Sequence, residues 1–475
     1  MATLVFLHGW SVTDTSSYGQ LPAALRDRVA QAGGSLTVVD IHLSEYVTFV
    51  DTVTLDDIVR AFDRALRGLA LPDGQFDCIA HSTGGPIVHA WLRAQRDRPA
   101  GYAPLALRHL VMLAPANFGS ALAQLGKGTL GRLKAWFGGV EPGQRILDWL
   151  ELGSPESLAQ NVDLIHSADF AASGTYLFVL IGDRPDRKLY DYINSYTGED
   201  GSDGVVRLAA ANLNATHAVL SQDPLTNRLI ATITRAPRTA FKLLAGLAHT
   251  GDRGIMAGDP TPPLTVDTVM RCLAVSSPAS YAALCAAFSI ENAQRDADKV
   301  ELEPAGLFSP RVHIHDPRSM LIVRLADDRG ESLSDTQFQL TAGSDGSSNE
   351  LPQGFMIDRQ ANSRSTGVVT LFLNHGVLAG DGPVMDPRDQ RKVLRKAIGA
   401  HRPYGARAEP KDIDGLVHHL VAATATTTDL FDAIGPHETT VVDVVLARRV
   451  KEGVFRFTSN LTPESFQNPV DGADI

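Results

Sequence analysis

Residues 78–86 read Cys-Ile-Ala-His-Ser-Thr-Gly-Gly-Pro, an apolar strand end that leads into a serine between small residues. A serine hydroxyl attacks an acyl carbon only if it stands clear of the surrounding backbone, as it does on a tight strand-to-helix turn. Gly84 leaves that clearance on the helix side, and Ala80 adds a single methyl on the strand side. The spacing therefore predicts a nucleophile elbow with Ser82 at its tip.

The residues on either side supply the context that such an elbow requires. Residues 75–80 have the composition of a buried strand, and residues 84–96 carry apolar side chains at helical spacing, namely Ile87, Val88, Trp91 and Leu92. A serine between small residues also occurs in ordinary turns. The succession of strand, turn and helix favours a catalytic serine over such a turn.

The start of the chain carries a second element of the same chemistry. Residues 2–7 are apolar and end in His8-Gly9-Trp10. The tetrahedral intermediate of acyl transfer bears a negative charge on oxygen, and two backbone N–H groups usually stabilise that charge. We expect the amides of Trp10 and Thr83 to form this oxyanion hole.

These motifs, with Leu-Ala-Pro-Ala-Asn-Phe-Gly-Ser at residues 113–120, resemble the α/β-hydrolase lipases and esterases. The likeness is strongest to bacterial lipases with an Ala-His-Ser-x-Gly-Gly elbow. It implies an α/β fold with a mostly parallel sheet, helices on both faces and a triad in the chain order serine, acid, histidine. The motifs are specific for the superfamily and say little about the substrate.

Two aspartates after the apolar strand at residues 176–181 are candidates for the acid. Asp203 lies in Gly-Ser-Asp-Gly-Val-Val, which is similar to the Asp-Gly-hydrophobic segment that carries the acid in the related lipases. Asp183 stands at the strand end and is the alternative. We expect Asp203, because its motif matches locally, whereas Asp183 rests on position alone. A buried aspartate would hold the histidine in one tautomer and stabilise the imidazolium that forms during attack.

Two histidines lie where the family pattern places the base. His249 closes an apolar run and precedes Thr-Gly-Asp-Arg-Gly-Ile-Met, which looks like the strand, histidine and Gly-Ile-Met segment of related hydrolases. His217 is the alternative, since it follows Asp203 closely enough to reach the same cleft. We expect His249 to be the base, and His81 and His89 to pack away from the nucleophile.

The stretch from about residue 120 to residue 161 contains no clear strand. Its pattern of apolar residues predicts a lid or cap of two amphipathic helices. Its three aromatic residues, Trp136, Phe137 and Trp149, are candidates for substrate contact. Two interpretations stay open. The apolar face covers the site when the lid is closed and meets acyl chains when it opens, or it only shapes a fixed pocket wall.

The chain is long enough for two or three domains, and its composition changes after residue 292. We expect an α/β-hydrolase domain over residues 1–300 and a β-rich, sandwich-like domain over residues 305–475, because short apolar runs there alternate with turn-forming residues. Helices are expected at residues 386–398 and 410–423.

The second domain has no catalytic motif. It either buttresses the hydrolase domain or docks on lipid through calcium bound to its acidic loops.

Charge and cysteine content narrow the possible partners. The net charge of −11 argues against nucleic-acid binding, which needs clustered Lys and Arg. The three cysteines have no metal-ligand spacing and do not form an even set, so neither a disulfide framework nor a metal site is expected. No cofactor is expected either. The partners we expect are an acyl ester or lipid substrate and, peripherally, a membrane surface.

Targeting signals are not visible in the sequence. The apolar run at residues 2–7 is too short for a signal peptide and lacks a basic head, and no run is long enough for a transmembrane helix. We therefore expect a cytoplasmic protein, with export by a leaderless route left open.

Together these features predict a serine carboxylic ester hydrolase that works through an acyl-enzyme, with Ser82, Asp203 and His249 as the triad. The apolar lid favours a lipase or phospholipase. A small-ester esterase or an acyltransferase uses the same triad and is an alternative. A catalytically idle hydrolase fold that serves as a binding protein is a further alternative, although such a protein would not need all three residues.

Overall fold

The computed structural model describes residues 2–8, 18–46, 50–96, 105–126, 143–167, 169–185, 199–256, 258–305, 308–411, 417–424 and 428–450. Three of the predicted site residues, Trp10, Trp136 and Phe137, lie outside them.

The first sheet has six strands: β1 (Ala2–His8), β2 (Leu36–His42), β3 (Gln75–His81), β4 (Ala106–Leu113), β5 (Tyr176–Gly182) and β8 (Ala240–Leu244). Their order is β2-β1-β3-β4-β5-β8, and every neighbouring pair is parallel. The central strands are almost wholly apolar because helices cover both faces of the sheet. Parallel pairing brings the carboxyl ends of β3, β4, β5 and β8 to one edge, which is where a doubly wound sheet places its site.

Ten helices are described: α1 (Leu21–Gln31), α2 (Leu55–Gly68), α3 (Gly84–Arg96), α4 (Ala121–Gly126), α5 (Gln144–Leu150), α6 (Pro155–His166), α7 (Leu208–Ala211), α8 (Pro263–Leu273), α9 (Pro278–Ala297) and α10 (His375–Ala379). Alternate residues of β1 show how they cover the sheet. Val5 and Leu7 belong to one apolar cluster with α2 and α3, and Leu4 and Phe6 belong to another with α1, α8 and α9. The predicted α/β-hydrolase fold, with helices on both faces, is confirmed.

The second sheet has nine strands: β6 (Thr216–Gln222), β7 (Arg228–Arg235), β11 (Arg318–Asp327), β12 (Thr336–Ala342), β13 (Met356–Ala361), β14 (Val368–Asn374), β17 (Tyr404–Pro410), β19 (Ala422–Thr424) and β20 (Thr439–Leu446). Their order is β12-β17-β19-β7-β6-β20-β11-β14-β13. Three two-stranded antiparallel sheets accompany it among the described residues: β9 (Val300–Ala305) with β10 (Phe308–Ile314), β15 (Val384–Asp386) with β16 (Asp389–Arg395), and β18 (Val417–His419) with β21 (Arg448–Val450).

The β-rich C-terminal part therefore exists, as one large sheet with small two-stranded sheets beside it. Residues from β12 and β17 share an apolar cluster with residues from β11 and β14, which stand near the opposite end of the strand order. The hydroxyl of Tyr404 in β17 also donates to the carbonyl of Leu378 in α10, just after β14 (2.9 Å). The sheet thus curls enough for β17 to reach the helix that follows β14, while the apolar cluster runs along one face. The sandwich-like arrangement stays a prediction.

Two strands of this sheet come from the N-terminal part of the chain. The hairpin β6–β7 lies between β5 and β8 in sequence, yet β6 pairs in parallel with β20 and β7 pairs with β19. The chain leaves the first sheet after β5, forms two strands of the second sheet, and returns as β8. The sequence placed these residues inside the hydrolase domain, because pairing with strands so far along the chain leaves no local pattern.

The helices expected at residues 386–398 and 410–423 are wrong. The first range contains β16, and the second contains β18 and the start of β19. The Arg, Lys and Gln side chains of β16 are good helix formers, but pairing with β15 overrides that weak preference.

The hydrolase module, which contains the first sheet, and the C-terminal module, which contains the second sheet, share one apolar core. The buried side chains Met320, Ile322 and Val441 of the second sheet belong to the cluster that contains α2, α3 and one face of the first sheet. Gly153, between α5 and α6, contacts this sheet so closely that a Cβ there would lie 2.6 Å from Cγ1 of Val368. The second sheet therefore packs directly on the cap and on the hydrolase module.

Candidate active site

Ser82 occupies the turn between β3 and α3 and has a left-handed backbone conformation with φ of +53°. Non-glycine residues rarely adopt this conformation, and a serine held in it at a strand end is the mark of a nucleophile elbow. The Ser82 amide donates to the carbonyl of Leu113 at the end of β4 (2.9 Å). The turn is thus tied to the neighbouring strand, so the serine cannot relax into an ordinary helical start.

The small residues of the motif are explained by close contacts around the elbow. A Cβ on Gly84 would lie 3.3 Å from Cβ of Ala80, so the strand and the helix meet where both residues are small. A Cβ on Gly85 would lie 2.7 Å from Cβ of Pro115 and 3.2 Å from Cγ of Met112. Larger residues at these positions would push α3 away from the sheet and move the serine.

Asp203 and His249 are brought into direct contact. Nδ1 of His249 lies 2.8 Å from Oδ2 of Asp203, and both side chains are almost fully buried. The other carboxylate oxygen, Oδ1, accepts from the amides of Val205 (3.0 Å) and Val206 (2.8 Å). The carboxylate is therefore held on both oxygens, and it favours the His249 tautomer that has its proton on Nδ1.

The backbones of these two residues are also joined, because the His249 amide donates to the Asp203 carbonyl (2.9 Å). In the tautomer with Nδ1 protonated, Nε2 is free to accept a proton. It is buried and has no hydrogen-bond partner among the described residues. The His249 ring centre lies 4.8 Å from that of His81, the residue that precedes Ser82. The imidazole thus lies at the elbow with an unused acceptor nitrogen.

Asp183 does not contact this pair. Its carboxylate accepts from the Gly246 amide (2.7 Å) and from Nε of Arg295. Gly246 lies three residues before His249 in the loop that follows β8. Asp183 therefore holds the loop that carries the histidine.

His217 is also away from the elbow. It lies in β6, where Nε2 contacts Oδ2 of Asp443 (2.8 Å) and Nδ1 contacts Nε2 of His166 (2.8 Å). Both of its ring nitrogens are engaged between α6 and the second sheet. Of the two candidate bases, only His249 lies next to residue 81 and in contact with Asp203.

Of the predicted oxyanion donors, Thr83 is described and Trp10 is not. Thr83 is buried and directly precedes α3, whose first N–H groups lack partners within the helix. A developing negative charge is stabilised at such a position.

The described part of the predicted lid is packed, with α4, α5 and α6 present and residues 127–142 outside the description. Trp149 of α5 is buried in the shared apolar core, and its indole Nε1 has no hydrogen-bond partner among the described residues. Trp136 and Phe137 fall in the part not described.

His81 and Arg207 are the residues near the site that sequence reasoning missed. His81 was expected to pack away, but its ring lies beside that of His249. Arg207 is buried close to Asp203 in sequence and bonds to Glu199 and to Asp358 of β13. An arginine four residues after the acid is visible in the sequence, but its burial and its partner in β13 are not.

A comparison with solved structures finds a close relative. Phospholipase PlaB from Legionella pneumophila is 39% identical, and the match covers 98% of this chain and 97% of that chain with a TM-score of 0.84. The chain belongs to the PlaB family. A second PlaB structure, in complex with thio-NAD, is 38% identical over 98% of both chains, with a TM-score of 0.81. No protein-family model and no curated protein sequence matches the chain.

Membership of the PlaB family agrees with the geometry of the site. The chain is an ester hydrolase with an α/β-hydrolase catalytic module. None of the helices in the described ranges is long and apolar enough to cross a bilayer. Within the same ranges, no group of three or more His, Cys, Asp or Glu side chains is arranged to hold a metal ion.

Proposed function

We propose that this protein is a phospholipase that cleaves acyl esters through an acyl-enzyme on Ser82. The observation that carries the proposal is the buried pair of Asp203 and His249 beside a serine elbow, with Nε2 of the histidine unused. The name of the PlaB relative favours a phospholipid over other acyl esters.

In the proposed reaction, Nε2 of His249 accepts the hydroxyl proton of Ser82 while Oγ bonds to the acyl carbon. Asp203 stabilises the imidazolium through the proton on Nδ1. The oxyanion is held by the amide of Thr83 and, as the sequence predicts, by that of Trp10. His249 then gives its proton to the leaving oxygen, which breaks the ester bond and releases the alcohol. Water attacks the acyl-enzyme with the same histidine as base, and the free acid leaves.

The test of this proposal combines three variants with a graded set of substrates. We expect Ser82→Ala and His249→Gln to abolish hydrolysis of p-nitrophenyl esters and of phosphatidylcholine vesicles. The control His217→Gln should retain activity, because that histidine is engaged with Asp443 and His166. Equal losses in His217→Gln and His249→Gln would contradict the assignment of the base.

The alternatives predict different results in the same assays. An esterase for small esters would hydrolyse acetyl and butyryl esters and leave vesicles intact. An acyltransferase would form new esters when an alcohol competes with water. An idle fold would not react with a fluorophosphonate probe at Ser82, which requires an activated hydroxyl.

We also propose peripheral contact with a lipid surface, and the turn between β6 and β7 is the element that favours it. Leu225 at its tip is 92% exposed, and Ile230 of β7 is exposed as well. We expect Leu225→Ser to weaken sedimentation with phospholipid vesicles. Hydrolysis of a soluble p-nitrophenyl ester should be unchanged, and unchanged sedimentation would exclude this turn as the contact.

A second ligand is proposed from the complex of the relative with thio-NAD. At 38% identity over almost the whole chain, a nicotinamide dinucleotide is a reasonable ligand for this protein too. Calorimetric titration with NAD would test this. AMP is the control, because it would bind as well as NAD to a site that recognises only the adenylate half.

We retain the cytoplasm as the proposed location. The three cysteines are buried free thiols and form no disulfide. Thiols of this kind suit a reducing compartment. Cell fractionation with a periplasmic marker would test the proposal, and recovery of the protein with that marker would contradict it.

A further inference from the structure

The loop that carries Asp203, which we call the acid loop, spans residues 201–208 and is closed on itself. The Asp203 amide donates to the Val206 carbonyl (3.1 Å), and the Leu208 amide donates to the Gly201 carbonyl (2.9 Å). Ser202 and Arg207 face each other in an isolated β-bridge. Arg207 is therefore joined to Asp203 through a few backbone hydrogen bonds.

Arg207 leaves this loop and enters the interface with the second sheet. Nε and Nη2 donate to the two carboxylate oxygens of Glu199 (2.9 and 3.1 Å), and Nη2 also donates to Oδ2 of Asp358 in β13 (2.6 Å). The guanidinium carbon lies 4.2 Å from the ring centre of Phe372 in β14. Burial opposes the charge on Arg207, but the Glu199 and Asp358 carboxylates raise its pKa above the ordinary value. The guanidinium is thus a charged link between the acid loop and the C-terminal sheet.

Further hydrogen bonds hold the chain that follows the loop to the same sheet. The Thr439 hydroxyl donates to the Ala209 carbonyl (2.7 Å), and Nδ2 of Asn212 donates to the His437 carbonyl (2.8 Å). On the hydrolase side, Oγ of Ser120 donates to the Val205 carbonyl (2.7 Å). The acid loop is therefore held between the two modules, and neither module alone determines its position.

We infer that Arg207 is a positioning residue, through which the C-terminal sheet sets the orientation of Asp203 and so of His249. This inference rests on the proposed function of Ser82, Asp203 and His249. It gives the C-terminal module a role in the chemical step, at a distance from the substrate. A misplacement of about 1 Å in a catalytic group can cost about 100-fold in rate, so a loosened loop would be seen in kcat.

Asp358 allows the inference to be tested from outside the hydrolase module, and Asp443 offers a matched control. Both carboxylates lie in the second sheet, both are bonded to an arginine, and their side chains are 15% and 19% exposed. Asp443 contacts Arg324 and His217 and has no hydrogen bond to the acid loop. Asp358→Asn and Asp443→Asn should therefore lower the melting temperature by similar amounts.

The experiment measures kcat and KM for a soluble p-nitrophenyl ester, with active sites counted by a fluorophosphonate probe. We expect Asp358→Asn to lower kcat about 10- to 100-fold with KM within about twofold, and Asp443→Asn to keep the wild-type kcat. Arg207→Met should be as slow as Asp358→Asn or slower. Arg207→Lys should recover part of the rate, since one ammonium can bond to only part of the carboxylate set.

The outcomes separate the inference from the proposed function. Equal kcat losses in Asp358→Asn and Asp443→Asn would reduce the effect to general stability and overturn the positioning role. Wild-type kcat in Asp358→Asn would overturn it as well. If the probe failed to label Ser82 in the wild-type protein, the proposed function itself would be wrong, and the inference would fall with it.

Discussion

At the scale of single residues, two aspartates near the carboxyl edge of the first sheet differ in what their oxygens contact. Asp203 receives two backbone amides on one oxygen and the His249 imidazole on the other. Asp183 receives the Gly246 amide and the Arg295 guanidinium. The first carboxylate can stabilise a proton on the imidazole, and the second can only hold the loop in place.

Replacing each aspartate by asparagine should separate these roles. We expect Asp203→Asn to lower kcat by about 10⁴-fold, because an amide in this position favours the wrong tautomer of His249. Asp183→Asn should lower the melting temperature and reduce kcat far less, since it weakens only the anchor of the loop. Steady-state kinetics and thermal denaturation of both variants check this, and a larger kcat loss in Asp183→Asn would contradict it.

Glu438 gives a prediction about pH at the same scale. Burial raises its pKa to about 7, against the opposing effect of Arg235, Arg238 and His437. Because the pKa of this carboxyl group is higher in the folded than in the unfolded protein, its contribution to the free energy of unfolding is complete below the unfolded-state pKa. That contribution is lost as the pH rises through 7. We expect Glu438→Gln to melt higher than wild type at pH 8 and to match it at pH 4. A gain of equal size at both pH values would show that the carboxyl charge is not the cause.

At the scale of elements, the elbow depends on how closely α3 approaches the sheet. Gly85 faces Pro115 and Met112 at distances that leave no room for a side chain, whereas Gly68 at the end of α2 has nothing near its Cβ position. The same residue type therefore has a packing role in one helix and none in the other.

Alanine at these two positions should have opposite effects. We expect Gly85→Ala to destabilise the fold by about 1–3 kcal/mol through overpacking, and to reduce kcat because the elbow moves. Gly68→Ala should be neutral or stabilise the fold by up to about 1 kcal/mol. Urea denaturation with an activity assay checks both, and a neutral Gly85→Ala would mean that α3 can shift without cost.

At the scale of the whole molecule, the two modules share apolar surface and polar contacts. Ile322 of β11 belongs to the core cluster of the hydrolase module, and its neighbour Leu321 belongs to the cluster inside the curled sheet. The Glu151 carboxylate at the end of α5 also accepts from the amide and the hydroxyl of Ser363 in the second module (2.7 Å each). Contacts of this kind couple the unfolding of the two parts.

The positions of the tryptophans make this coupling measurable. All four tryptophans lie before residue 150, so their fluorescence reports on the hydrolase module. We expect Ile322→Ala and Leu321→Ala each to cost about 2–5 kcal/mol and to shift the tryptophan-detected and the far-ultraviolet circular dichroism transitions together. If Leu321→Ala left the tryptophan transition in place, the modules would unfold independently.

Features that depend on neighbouring residues could be predicted from the amino-acid sequence. Small residues around Ser82 predicted the elbow, and the resemblance to the α/β-hydrolases implied the mostly parallel sheet. The Asp-Gly and His segments, which are similar to those of related lipases, predicted two residues that meet in the structure. These features are local because a strand, a turn and a helix start each depend on a few consecutive side chains. The ranking of Asp203 over Asp183, and of His249 over His217, came from such local motifs.

Contacts between residues that are distant in the chain became visible only in the folded protein. The pairing of β6 with β20, the contact of Arg207 with Asp358, and the place of His81 beside His249 all join residues that lie far apart in the chain. The strands misread as helices at residues 386–398 and 410–423 have the same origin. Pairing and burial energies depend on partners that folding brings together, and no local pattern of residues names those partners.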